Sequence, residues 1–315
     1  MPLFPLLFQE AKVVTRQKKQ AIYGAVYILP SFLLMAFFTF IPIFMTFYFS
    51  FTKYNLGQPA VWIGLENYEK LISNSYLHQA LVNTAHYVAV TVPFQTIISL
   101  IIAAFLSSRL RNRLGNLIRS MMFIPVVASL VASASVWNVI YETNGGVLNQ
   151  LLELLGIPGF NWLGRKSTAL NCVAVVAIWK NVGYFLVIFY AGIMNISTDI
   201  NEAACVDGAT PIQRFWYITL PILKPITYMV VTLGIIWSFQ VFDLVYKMTA
   251  GGPGRATYTV AYLIYSYAFK DRRIGYAAAL AVCLLIVILI IHGLQNLVFN
   301  DKDTDEPRKT GRLTA

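Results

Sequence analysis

The chain has 315 residues, of which 57% are hydrophobic and only 12% charged, with a formal net charge of +10. Soluble domains carry about 25% charged residues, so this composition points to lipid as the solvent and excludes a disordered chain, a collagen-like chain and a disulfide scaffold. Three scattered cysteines, Cys172, Cys205 and Cys283, have no pairing or ligand spacing and indicate neither a redox compartment nor a metal site.

A bilayer core about 30 Å thick takes about 20 apolar helical residues and penalises a buried charge. Gaps between consecutive charged residues therefore mark the crossings. Residues 1–20 carry Lys12, Arg16, Lys18 and Lys19 and form a basic N-terminal segment. The apolar run after it is longer than a signal-peptide core and lacks a small-residue cleavage pattern, so no cleavable signal is expected. The charge gaps predict spans at residues 22–48, 87–106, 120–141, 170–194, 225–246 and 274–299, within a transmembrane domain of residues 21–300, and a tail at 301–315. Lys180 interrupts the fourth span, and Asp243 lies towards the outer end of the fifth. Between spans, residues 147–155 show amphipathic helical spacing, and residues 256–269 read as an external interfacial or re-entrant helix too short to cross.

Six crossings put both termini on one side. Fourteen Lys and Arg residues lie in the N-terminal segment, the loops at 109–119 and 214–224 and the tail, against nine in the opposite loops. That bias places both termini in the cytoplasm. The net positive charge then faces anionic lipid. No basic stripe interleaves with aromatics on a polar domain, so nucleic acid is not an expected partner.

The connection from span four to span five, residues 195–221, is more than a connector. Asp199 with Glu202 has the spacing of a capping box that opens a short helix. Gly208 stands where a left-handed residue ends it. Thr210, Pro211 and Gln213 start a second helix with a capping hydroxyl and a first-turn proline. That helix carries Phe215, Trp216 and Tyr217, which fit a rigid docking surface or, equally, a helix lying flat on the headgroups.

Glu202-Ala203-Ala204, three further residues, Gly208, nine further residues and Ile218-Thr219-Leu220-Pro221 reproduce the EAA motif of ABC importer permeases. Residues 63–68 (IGLENY), 249–253 (TAGGP) and 275–280 (GYAAAL) are similar to further motifs of the carbohydrate-uptake, maltose-type branch. The likeness covers roughly residues 21–300. Ser197 and Thr198 replace the proline often found before the EAA helix, and capping by Asp199 is expected to compensate. The resemblance implies an all-α, integral-membrane, type I ABC importer permease fold: six transmembrane helices with a cytoplasmic coupling helix between the fourth and fifth, in the bacterial plasma (inner) membrane. It implies a second homologous permease, two ATPase subunits that bind ATP and magnesium, and an extracytoplasmic solute-binding protein. The coupling residues would be Glu202, Ala203, Ala204, Asp207, Gly208, Arg214, Phe215, Ile218, Leu220 and Pro221.

The chain itself shows no nucleotide site, catalytic set or metal cluster. The run Gly159 to Ser167 has P-loop glycine spacing but inserts Arg165 directly after Gly164, where the phosphate lysine is required. His78, His86 and His292 are too dispersed for acid–base or metal work. The ionisable residues at membrane depth, Lys180 and Asp243, point to an aqueous path. With them lie Trp179, Asn181 and Tyr184 in span four and Ser238, Phe239 and Gln240 in span five. Aromatic faces beside hydroxyl-bonding groups suit a carbohydrate path. The competing reading is a structural Lys180–Asp243 ion pair with the aromatics as helix packing. Against the importer stand an ion-gradient-driven secondary transporter, which requires inverted repeats and an ion site, and a lipid-acting membrane enzyme, which requires clustered polar catalytic groups.

Overall fold

The computed structural model of the protein describes Gln20 and residues 23–299 and is built almost wholly of helices. The expected tail at 301–315 and the N-terminal segment, Gln20 apart, lie outside the described residues. A long apolar helix, α1 (Tyr23–Ser50), leads into a two-stranded antiparallel ribbon of β1 (Thr52–Lys53) and β2 (Val61–Trp62), with Thr52 opposite Trp62. Then come α2 (Glu66–Ile72), α3 (Ser75–Arg109), α4 (Arg113–Val127), α5 (Leu130–Ile140), α6 (Val147–Leu154) and α7 (Ala169–Met194). Two short helices, α8 (Thr198–Val206) and α9 (Pro211–Ile222), connect to α10 (Lys224–Phe239) and α11 (Asp243–Met248). The chain closes with α12 (Val260–Tyr265), which continues as a π-turn over Ser266–Lys270, and α13 (Ile274–Phe299).

Helices α1, α3, α7 and α13 are each long and apolar enough to cross a membrane; the bent pairs α4–α5 (100°) and α9–α10 (68°) bring the number to six. The expected span 120–141 is thus two helices rather than one rod. The expected 225–246 is also interrupted, between Phe239 and Asp243. The second crossing begins at Ser75, well before the expected residue 87, because the Asn74 side chain caps it by accepting from Tyr76 N at 2.9 Å.

A polar stripe orients α3. Thr84, Tyr87, Thr91, Gln95 and Ser99 recur at three- to four-residue spacing and are all buried, because facing lipid would leave their polar groups without partners. Thr91 Oγ1 meets Ser238 Oγ at 2.9 Å across to α10, and Asn181 Nδ2 of α7 donates to Gln95 Oε1 at 3.0 Å. At the end bearing α8 and α9, Leu106, Phe185, Phe189, Leu223 and Val230 form a closed apolar core. At the opposite end Leu71, Leu263, Tyr267, Tyr276 and Leu280 form another.

Residues 256–269 differ from expectation. The helix starts at Val260, and Val260, Tyr262, Leu263, Ser266 and Tyr267 are buried against α3 and α13. It is a packed scaffold helix, not a surface one. Thr84 Oγ1 accepts from Val260 N at 3.0 Å, and Asn83 Nδ2 donates to Tyr258 O at 2.9 Å. Residues 141–168 fold around buried Asn149, whose amide donates to Thr143 O and Phe160 O, each at 2.9 Å, while its oxygen accepts from Trp162 Nε1 at 2.8 Å. Gly164, in the P-loop-like run, donates its N–H to Asn161 Oδ1 at 2.7 Å within this knot.

Candidate functional site

The third crossing breaks where Pro125 withholds a backbone N–H and Ala128 and Ser129 turn extended, with ψ of 141° and 145°. Ser129 Oγ caps α5 by accepting from Ala132 N at 3.1 Å. The break leaves the last carbonyls of α4 without helical donors, which is costly at membrane depth. Lys180 supplies the donors: Nζ bonds Pro125 O at 2.8 Å, Val126 O at 3.1 Å and also Ala128 O. Its positive charge suits a helix C-terminus. The approach depends on Gly183, about one turn further along α7, where an added Cβ would lie 1.9 Å from Met122 O of α4. The Lys180–Asp243 ion pair is therefore corrected. No ion pair joins the two, and the ammonium is committed to backbone carbonyls.

Asp243 opens α11, immediately after the second break. Both breaks border one cavity of about 350 Å³. Lys180, Asn181, Tyr184, Ser238, Gln240 and Asp243 all line it, so six of the eight path residues expected from sequence come together. Trp179 and Phe239 do not. Trp179 packs edge-on against Trp137 with ring centroids 5.6 Å apart, and Phe239 is buried away from the cavity. Sequence reasoning missed Tyr87, Trp237 and Phe242, which complete the aromatic wall. Trp237 lies 5.3 Å from Tyr184 and stacks on Phe185 at 5.5 Å. The polar stripe of α3, which includes Tyr87, was the signal for the first of these. Irregular backbone at membrane depth is tolerated where it lines a cavity, and transporter sites sit between such discontinuous helices.

The second feature is the loop at one end of the bundle. Helix α8 is capped by Ser197, whose side chain accepts from Asp199 N at 3.3 Å. Asp199 lies inside the first turn, so the expected Asp199 cap is corrected to Ser197. Gly208 has φ +78°, and Ala209 N bonds Ala204 O at 2.9 Å in the geometry of a left-handed helix stop. Thr210 and Gln213 form a reciprocal capping box on α9. Arg214 Nη1 reaches Cys205 Sγ at 3.0 Å, tying α9 to α8.

Within this loop Ala204 is buried, while Glu202, Ala203, Asp207 and Gly208 are exposed. Val206, Ile212, Trp216 and Tyr217 add large exposed apolar faces, with Val206 at 88%. Phe215, Ile218 and Leu220 are half-buried, and Pro221 is exposed at the turn into α10. Asp207, Gly208, Arg214 and Ile218 also border a depression of about 330 Å³.

Crossings broken around a shared polar–aromatic cavity, with a rigid two-helix loop exposed at one end, define a multi-pass membrane transport subunit. Residues 95–302 match the family of binding-protein-dependent transport system inner membrane components, and the chain belongs to that family. It is 35% identical over 265 residues to the probable ABC transporter permease protein YurN of Bacillus subtilis, covering 83% of this chain and 91% of that one. It is 30% identical over 272 residues to the trehalose/maltose transport system permease protein MalF of Thermococcus litoralis, covering 86% and 91% respectively. Its fold is similar to a chain of a bacterial ABC transporter involved in import of the acidic polysaccharide alginate, with a TM-score of 0.81, 21% identity and coverage of 91% of this chain and 98% of that one.

Proposed function

We propose that this chain is one of two permease subunits of an ATP-driven importer that carries a sugar or oligosaccharide delivered by a solute-binding protein. Two ATPase subunits bind ATP and magnesium and hold the α8–α9 loop, with both termini on the cytoplasmic side. Glu202 contacts the ATPase, Gly208 allows the bend between the two helices, and Arg214 braces them. Closure of the ATPases on ATP rocks the two permeases between inward-open and outward-open states. The observation that carries this reading is the cavity at the two breaks, whose lining combines Tyr184 and Trp237 with Asn181, Gln240 and Asp243. Rings of this kind stack on the apolar faces of sugars, while amides and carboxylates bond their hydroxyls. The sugar-transport names of relatives support the substrate class.

Proteoliposomes holding the purified complex, with MgATP on the ATPase side and sugar-loaded binding protein opposite, test it across a panel of labelled oligosaccharides. Tyr184→Ala and Asp243→Asn should each slow uptake about tenfold, the value of one lost contact of about 1.4 kcal/mol, with subunit assembly intact. Uptake unchanged in both would remove the cavity from the path.

A further inference from the structure

We infer a binding site for one anionic phospholipid between the end of α3 and the α8–α9 loop. A second cavity there, of about 810 Å³, is lined by two arginines, Arg111 and Arg214, with Ser107, Ser108 and Thr198 beside them. Neither guanidinium has a carboxylate within ion-pair distance among the described residues. Arg111 Nε donates to Ser107 O, and Arg214 reaches the weak acceptor Cys205 Sγ. The Arg214 Nε is buried without any hydrogen-bond partner, and a buried orphan donor calls for a missing acceptor. Glu202 on the same wall offsets one of the two positive charges, leaving the cavity net positive. A phosphodiester supplies oxygens that match guanidinium forks.

The apolar surroundings select a lipid over free phosphate. Phe94, Ile97, Ile98, Ile101 and Phe105 form one exposed face of α3, and Phe105 lines the cavity. From Phe94 to Phe105 the track runs about 16 Å at the helical rise, which is half of a hydrocarbon core about 30 Å thick. A headgroup held between Arg111 and Arg214 therefore has an acyl-chain track one leaflet long leading from it. Basic pockets between transmembrane helices bind anionic headgroups by the same chemistry. The bound lipid bridges the α3 end to the coupling loop.

Native mass spectrometry of the purified full-length protein tests this, after exchange in detergent against equal amounts of phosphatidylglycerol and phosphatidylcholine with identical chains. One phosphatidylglycerol should be retained at least about tenfold over phosphatidylcholine, and millimolar inorganic phosphate should not displace it. Arg111→Gln, at an exposed position, should erase the preference, and Arg111→Lys should retain part of it by keeping the charge. A fold defect would lower both lipids together in the Gln variant, and the Lys variant then decides. Equal retention of the two lipids, displacement by phosphate, or an undiminished preference in Arg111→Gln would overturn the inference.

Discussion

Gly208→Asp should leave the protein in the membrane and cut ATP-driven uptake by about tenfold or more. At φ +78° a side chain costs about 1–2 kcal/mol, and aspartate is among the residues that tolerate that region best. A Cβ there meets nothing within 4 Å, so folding survives. What changes is the loop: relaxing the strain reorients α9 against α8 and sets a second carboxylate beside Asp207. Glu202→Ala should act in the same direction without altering the backbone. Losing one partner of a desolvated interfacial charge contact costs about 2–5 kcal/mol. Uptake and substrate-stimulated ATP hydrolysis in proteoliposomes, measured beside membrane abundance, check both variants. Wild-type uptake in either would detach that residue from coupling.

Lys180→Met should destabilise the protein by about 2–4 kcal/mol, from acceptors left unpaired at the break in the third crossing. Pro125, Val126 and Ala128 lose their shared donor. Lys180→Arg should recover part of the loss. Asp243→Asn should leave stability within about 0.5 kcal/mol of wild type, and the double variant should be additive to a similar margin, because the two side chains make no ion pair. Thermal unfolding of the four purified proteins measures this cycle. A strong coupling between Lys180 and Asp243 would restore the ion-pair reading.

How far the sequence revealed the molecule follows from what each signal measures. Charge-free runs mark lipid-facing segments because burying a charge is costly, and the EAA loop announces itself through side chains with fixed geometric roles, such as Gly208 and the Thr210–Gln213 pair. The two breaks were hidden because an extended Ala128 or a helix end at Gln240 carries no charge and leaves hydropathy unchanged. Pro125 followed by Ser129, a helix breaker and then a capping residue, was the trace available for the first. Lys180 invited a carboxylate partner in the sequence, but its partners are carbonyls, which every residue has and no pattern displays. Asp199 and Ser197 both suit a cap, and backbone geometry selects the serine. The burial of α12 depends on Asn83 and Thr84, more than 170 residues earlier in the chain, which is beyond local reading.

In the proposed mechanism this permease does its work through a partner that hydrolyses ATP. The chain, tagged and isolated from its native membranes in mild detergent, should bring with it a second permease and an ATPase in stoichiometric amount, with hydrolysis stimulated by a sugar-loaded binding protein. The Gly208→Asp protein should bring less of the ATPase. Isolation of the chain without any ATPase, from membranes whose uptake survives ATP depletion and collapses when ion gradients are dissipated, would contradict it.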